Sequence, residues 1–347
     1  MARRVHTTVA SAVALLFRVL AIAQATSGFT GHALRRSIVE KIFRLVLLTA
    51  IFEFLAFSAV AEDRSANGAI QAPPRELVRL TISNELQPVV AGTHLAYTVA
   101  DRDAGRTRTK RVVETSNGNV SMVTEEDGQK VGTERLHEQE QHLLKLVNNP
   151  TAWAAQRKKQ QRDDSETNTL LQAIPDAFNF TYVGTRQEGN TTIIGLSFSP
   201  DPSFHPPSRE TQVFQGMRGV MEISWPEARI TRIEGTLFES VNFGWGILGR
   251  LDPGGRFLIE QAPVGGGRWE VTHTALRFTG KVLLVKKLNI DEESRSSGFR
   301  AVPPLILSEA VRWVAAYDSS AAGSAAQTPS TSRSFAPTYD LRSAAAE

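Results

Sequence analysis

The alternation of apolar and polar positions changes period along the chain, and each change marks an element. Two early stretches, Thr8 to Ala25 and Ile42 to Ala61, are apolar almost throughout. A polar linker, 62–75, follows and contains Pro73-Pro74; Leu77, Leu80 and Ile82 then have the spacing of a short helix over 76–84. From Thr93 the period drops to two. Leu95, Tyr97 and Val99 share a face, 108–115 follows, and Asn117-Gly118 leads into 120–124. Asn-Gly between alternating runs predicts a type I′ hairpin turn, because both residues tolerate positive φ.

After Gly132 the period returns to that of a helix. Leu136, Leu143, Leu144 and Val147 predict an amphipathic helix over 133–147, stopped by Asn149-Pro150. The same pair is suited to cap a second helix, Asn149 at the N-cap and Pro150 at the first helical position, running to Leu170, Leu171 and Ile174 and ending at Pro175. The two make a helical insertion, 133–174. Its middle, 156–168, is polar all round and reads as a solvated helix face or a loop.

From Asp176 the pattern is strand after strand. The runs 178–186 and 191–199 pair across Gly189-Asn190, with Ile194, Leu196 and Phe198 alternating. Then come 212–214, 220–225, 229–237, 243–247 and 257–261, the last two hinged at Asp252-Pro253-Gly254-Gly255, and finally 269–274 and 275–288. A last helix spans 304–316. The fold class is α+β: a curved antiparallel sheet of about nine to eleven strands, a half-open barrel covered by a few helices. Residues 76–317 form one such domain, and the Ala/Ser/Thr-rich tail 318–347 is expected to be disordered.

Composition alters this picture at the N-terminus. Each early apolar stretch is preceded by Arg or Lys and ends in small residues, the form of a signal peptide. The second ends in Ala59-Val60-Ala61 before Glu62-Asp63, a cleavage site of the A-x-A type, and Arg18 and Glu53 interrupt the two stretches as membrane spans. Residues 1–61 are therefore read as a leader that is removed, leaving no stable transmembrane anchor; a translation start near Val39 would account for the duplication. The chain has 39 Lys+Arg against 36 Asp+Glu, and the leader holds seven of the former and two of the latter, leaving 32 against 34. The basic balance belongs to the leader and is no footprint for nucleic acid. There is no cysteine, which excludes disulfides, thiolate sites and a lipid-modified cysteine. The expected location is the periplasm or the exterior.

No constellation prescribes catalysis, a metal or a cofactor. His137 and His142 diverge on a helix instead of sharing a ligand, and Gly265-Gly266-Gly267 lies between strands as a turn. Ser208 and His205 lie three residues apart on a proline-stiffened loop and lack an orienting third group. The aromatics carry more. Phe243 and Trp245 flank glycine on one strand face, and Phe180, Phe198, Trp225 and Phe257 could share a concave interior with them. These six are the candidate residues for a hydrophobic ligand, with ordinary core as the competing reading.

At Thr109-Lys110-Arg111-Val112-Val113-Glu114-Thr115, Pro175-Asp176-Ala177-Phe178, Pro206-Pro207-Ser208-Arg209-Glu210 and 241–249, the sequence resembles a group of uncharacterised exported bacterial proteins over residues 75–315. In element order it is similar to the periplasmic lipoprotein-localisation factors and the related sensor domain of envelope-stress regulators. That resemblance implies a half-open barrel with an apolar cavity for lipid or lipoprotein acyl chains, and it transfers no functional residue. Two functions follow: a non-catalytic envelope protein that binds a lipid or other hydrophobic ligand, or an envelope interaction or structural module with a filled core. N-terminal sequencing of the exported form is expected to read Glu62 first; a mature start at Thr26 would refute the second cleavage site.

Overall fold

The computed structural model describes residues 72–88, 93–243, 249–282 and 286–316. Ala59, Ala61, Trp245 and the tail 318–347 lie outside the described residues. Helix α1, Pro74–Glu85, is followed by strands β1 (His94–Asp103), β2 (Arg106–Thr115), β3 (Gly118–Glu126) and β4 (Gln129–Lys130). Helices α2 (Thr133–Val147) and α3 (Pro150–Ala177) come next. Strands β5 (Phe178–Glu188) and β6 (Thr191–Pro200) then lead through a 3-10 turn, Glu210–Gly216, to β7 (Met217–Trp225) and β8 (Arg229–Leu237). The short β9 (Val241–Phe243) and β10 (Gly249–Leu251) precede β11 (Arg256–Gly265), β12 (Arg268–Val282), β13 (Lys286–Val302) and α4 (Leu307–Ala316).

Among the described residues the thirteen strands form one antiparallel sheet, ordered β4-β3-β2-β1-β13-β12-β11-β8-β7-β6-β5, with β10 paired to β12 and β9 to β10. It is a curved sheet that does not close into a barrel. Several boundaries depart from the sequence pattern for identifiable reasons. Residues 212–214 belong to the 3-10 turn instead of a strand. The run from Arg268 to Val282 is unbroken across Thr274-Ala275, and the next strand, β13, continues for 17 residues to Val302 where the pattern ended at Leu288. Pro74 opens α1 as its first helical residue, so the linker is shorter than drawn. Asn149 does cap α3, accepting from the Ala152 amide, and α3 runs through Pro175 to Ala177. The β2–β3 loop is Ser116-Asn117, closed by the Thr115–Gly118 pair; Asn117 does not enter the left-handed region, so the turn is not type I′. Gly266 and Gly267 form the β11–β12 turn, both at positive φ.

Register separates the sheet into two faces. On the inner face Phe198, Met221, Ile233, Phe257, Leu276, Phe278 and Ile290 belong to the largest apolar cluster, completed by Leu77, Val78 and Ile82 of α1 and Ile174 of α3. On the outer face Ala96, Val113, Val120 and Met122 of β1–β3 pack under Trp153 of α3 and Ala310, Val311 and Val314 of α4. Helix α3 thus touches both cores. The indole Nε1 of Trp153 fastens its N-terminal end to the Asn117 carbonyl at 3.0 Å.

The tip of the β11–β12 hairpin reaches β1–β2. Val264 packs against the cluster of Leu95, Tyr97 and Val112, and Tyr97 stacks on Phe299 at 5.1 Å. Beside them the buried Arg268 guanidinium donates to Glu114 Oε2 at 2.7 Å and Oε1 at 3.1 Å, and also to Glu270. Glu114 accepts the Leu95 amide as well, at 3.1 Å. Replacing Arg268 would take the guanidinium away from two buried carboxylates, a loss on the order of 3–5 kcal/mol. Arg268→Met is therefore expected to lower unfolding free energy in urea by about that amount, and Arg268→Met/Glu114→Gln to recover part of it; a loss for Arg268→Met below about 1 kcal/mol, the scale of an exposed pair, would refute a structural role.

Candidate functional site

The inner face is not filled throughout. Between it and the helices lies a half-open apolar cleft of about 100 Å³. Period-two alternation, with one register shift between Ile230 and Arg232, supplies the floor: Phe198 on β6, Met217 on β7, Ile230 and Ile233 on β8, Phe257 and Ile259 on β11, and Leu276 and Phe278 on β12. The last turns of α3 supply the roof through Leu170, Leu171 and Ile174, and the 3-10 turn adds Val213 and Phe214. Phe178, where α3 becomes β5, sits at the corner, with ring centroids 4.9 Å from Phe198 and 5.2 Å from Phe214.

Three lining residues are polar: Glu85, Thr167 and Gln261. The Glu85 carboxylate is held by the Ile230 amide at 2.9 Å and by Arg229 at 3.1 Å, and the Thr167 hydroxyl donates to the Asp163 carbonyl at 3.0 Å. Neither is left to anchor a polar ligand group. An engineered cavity of about 150 Å³ lined by apolar side chains stays dry and takes up benzene, about 25 Å³ per carbon. By that scale this cleft accommodates about four carbons.

Helix α1 is fastened over the inner face at both ends. Near its N-terminus Arg75 donates to Asp201 at 2.8 Å, to the Phe178 carbonyl and to Asn179, while Arg79 pairs with Asp176 at 2.6 Å. At its C-terminus Arg229 donates to the Asn84 carbonyl at 2.6 Å beside its pair with Glu85. Hydrogen bonds from Ser203 and from Arg75 lower the Asp201 carboxyl to about 2.

Of the five aromatic candidates among the described residues, the cleft brings together two, Phe198 and Phe257. Phe180 packs edge-on to Phe178 at 6.2 Å, outside the lining; Trp225 is half-buried against the same core away from the cleft; Phe243 is fully buried in that core. Aliphatic residues form much of the remaining lining. Ile233 and Ile259 fall at alternating positions of their strands, whereas Ile230, three residues from Ile233, joins them through the register shift at Glu222–Ile223, and nothing in a linear pattern separates a cleft wall from a packed core. Ser208 and His205 make no dyad: the Ser208 amide and hydroxyl face the Thr211 hydroxyl at 3.1 and 3.5 Å, and His205 is exposed. Among the described residues no group of three or more His, Cys, Asp or Glu could hold a metal ion.

The outer face of the central strands is a charged ladder. His273 Nδ1 faces Glu260 Oε2 at 2.9 Å and its Nε2 faces Glu293 Oε1 at 3.1 Å. Arg232 bonds Glu260 and Arg102 bonds Glu293, while Arg186 reaches Glu222 at 2.8 Å. The hydrogen bond with His273 lowers the Glu260 carboxyl, with Arg232 adding to it. Burial acts to raise the Glu293 carboxyl, but hydrogen bonds with Arg102, Arg295 and His273 outweigh it.

No family model and no curated protein matches the chain. It is similar to solved structures that include a domain named for outer membrane lipoprotein sorting, from Vibrio parahaemolyticus, at 7% identity and TM-score 0.29, covering 70% of this chain and 97% of that one. A LolA superfamily protein from Nitrosomonas europaea matches at 8% identity and TM-score 0.24, covering 67% and 96%. A DUF1329 family protein from Desulfovibrio piger matches at 9% and 0.25, covering 67% and 93%. TM-scores of this size do not superpose two folds closely, and what the cleft can do is read from its own residues. Among the described residues no helix is long and apolar enough to cross a membrane, which says nothing of strands.

The Asp201 clasp sets a pH dependence. Its carboxyl titrates lower in the folded chain than its ordinary 3.8, so its stabilisation is complete above about pH 4 and is lost as pH falls towards 2. The melting temperature of wild type is expected to exceed that of Asp201→Asn near neutral pH, with the gap closing between about pH 4 and 2; a gap constant across that range would count against the clasp.

Proposed function

We propose that the mature chain is an exported, non-catalytic carrier that shelters part of a hydrophobic ligand, such as a lipid acyl chain, between its inner sheet face and its helices. The observation that carries this is the apolar cleft of about 100 Å³ roofed by Leu170, Leu171 and Ile174. Export to the periplasm or exterior is supported by the leader pattern ending at Ala61. Four buried methylenes at about 0.8 kcal/mol each contribute about 3 kcal/mol. That is short of the ~4 kcal/mol of millimolar binding, so contacts outside the cleft must supply the rest.

Purified mature protein, analysed by native mass spectrometry and lipid extraction, is expected to retain acyl species. Ile233→Glu places a carboxylate on the cleft wall and is expected to lose them while keeping the wild-type circular dichroism spectrum. Acyl species absent from wild type, or equally abundant in the folded variant, would favour the filled-core module instead.

A further inference from the structure

One row across the inner face runs Phe180, Phe198, Gly219, Gly235, Phe257 and Leu276, each paired with the next on the neighbouring strand. Its centre is two glycines in direct register. A Cβ on Gly219 would lie 2.0 Å from the Glu234 carbonyl oxygen and 2.8 Å from the Phe198 ring. One on Gly235 would lie 2.7 Å from both the Arg218 carbonyl oxygen and the Phe257 ring. Strands β7 and β8 therefore approach too closely here for any side chain, and the two phenyl rings lie over the space that side chains would occupy.

We propose that this glycine pair and the two rings laid over it set the depth of the cleft, so that it admits the end of one alkyl chain and stops it after about four carbons. This rests on the carrier reading above. The rings form the floor, and the lining is apolar apart from Glu85, Thr167 and Gln261, of which Glu85 and Thr167 are already hydrogen-bonded, so the chain enters methyl end first and its head group stays outside. The two rings differ in support. Phe198 is buried and held edge-on by Phe178, whereas Phe257 is half-buried on the far side of the glycines. Phe257 is accordingly the residue whose size limits the chain.

The test is a calorimetric titration with n-alkyl maltosides of increasing chain length, each kept below its micellar concentration. For wild type the affinity is expected to rise about fourfold per added methylene while carbons still enter the cleft, then to level off. Phe257→Ala opens space approaching that of a benzene ring and is expected to delay the levelling by several carbons. Phe257→Leu retains more of the packing, is expected to delay it less, and carries the test where a thermal melt shows Phe257→Ala to be unfolded. A levelling point unchanged in the folded variants, or a slope that never breaks, overturns the depth assignment and leaves the carrier reading standing. If no maltoside binds wild type or either variant, both fail.

Discussion

An antiparallel sheet satisfies its backbone with its own strands, yet every apolar stretch of its two faces has to be covered by something else. In this chain the two larger apolar stretches lie on opposite faces at opposite ends, while a smaller one, Leu95, Tyr97 and Val112, packs against Val264 and Phe299. Helices α2 and α4 cover the outer face of β1–β3, and α1 with the end of α3 covers the inner face of the strands from β5 to β12. Helix α3 serves both: its 28 residues span about 42 Å, with Trp153 in one core and Ile174 in the other. Its polar middle is the length needed between the two. The roof of the cleft is therefore tied, through one rigid element, to the hairpin loop at Asn117.

What the helices leave uncovered is handled by charge. The outer face of β8, β11, β12 and β13 carries Arg232, Glu260, His273 and Glu293 in cross-strand contact, an arrangement that keeps a broad sheet face in water. The inner face of β8, β11 and β12 is apolar, so the sequence there alternates a charge with an Ile, Leu or Phe. The edges differ too: β4 has two residues, and β5 is broken by a register shift between Tyr182 and Gly184.

Much of this alternation was readable. The β1–β3 meander, the β5–β6 hairpin, the β7–β8 pair and both helices of 133–177 follow from period and caps, because those signals are local. Strand β13 was not readable past Leu288. Its outer positions are Asp291, Glu293 and Arg295 and its inner ones include Ser294 and Ser296, so it shows almost no hydrophobic period. It is a strand because β12 and β1 pair with it on either side. The 3-10 turn at 210–216 was likewise missed, since Val213 and Phe214 look like a short strand until Phe178 is seen beside them.

For the cleft the division is sharper. Sequence alone determined most of the positions that point inwards and that aromatic and branched residues dominate them, because side-chain direction in a strand repeats every second residue. Tertiary structure decided which inward residues face empty space. Phe198 and Phe257 line the cleft while Phe243, equally apolar, is closed into the core. The register that sets Gly219 against Gly235 joins residues on two strands, and the α3 roof joins them to a helix far away along the chain. Whether a row of side chains fills the space above it depends on those pairings, which no local period encodes.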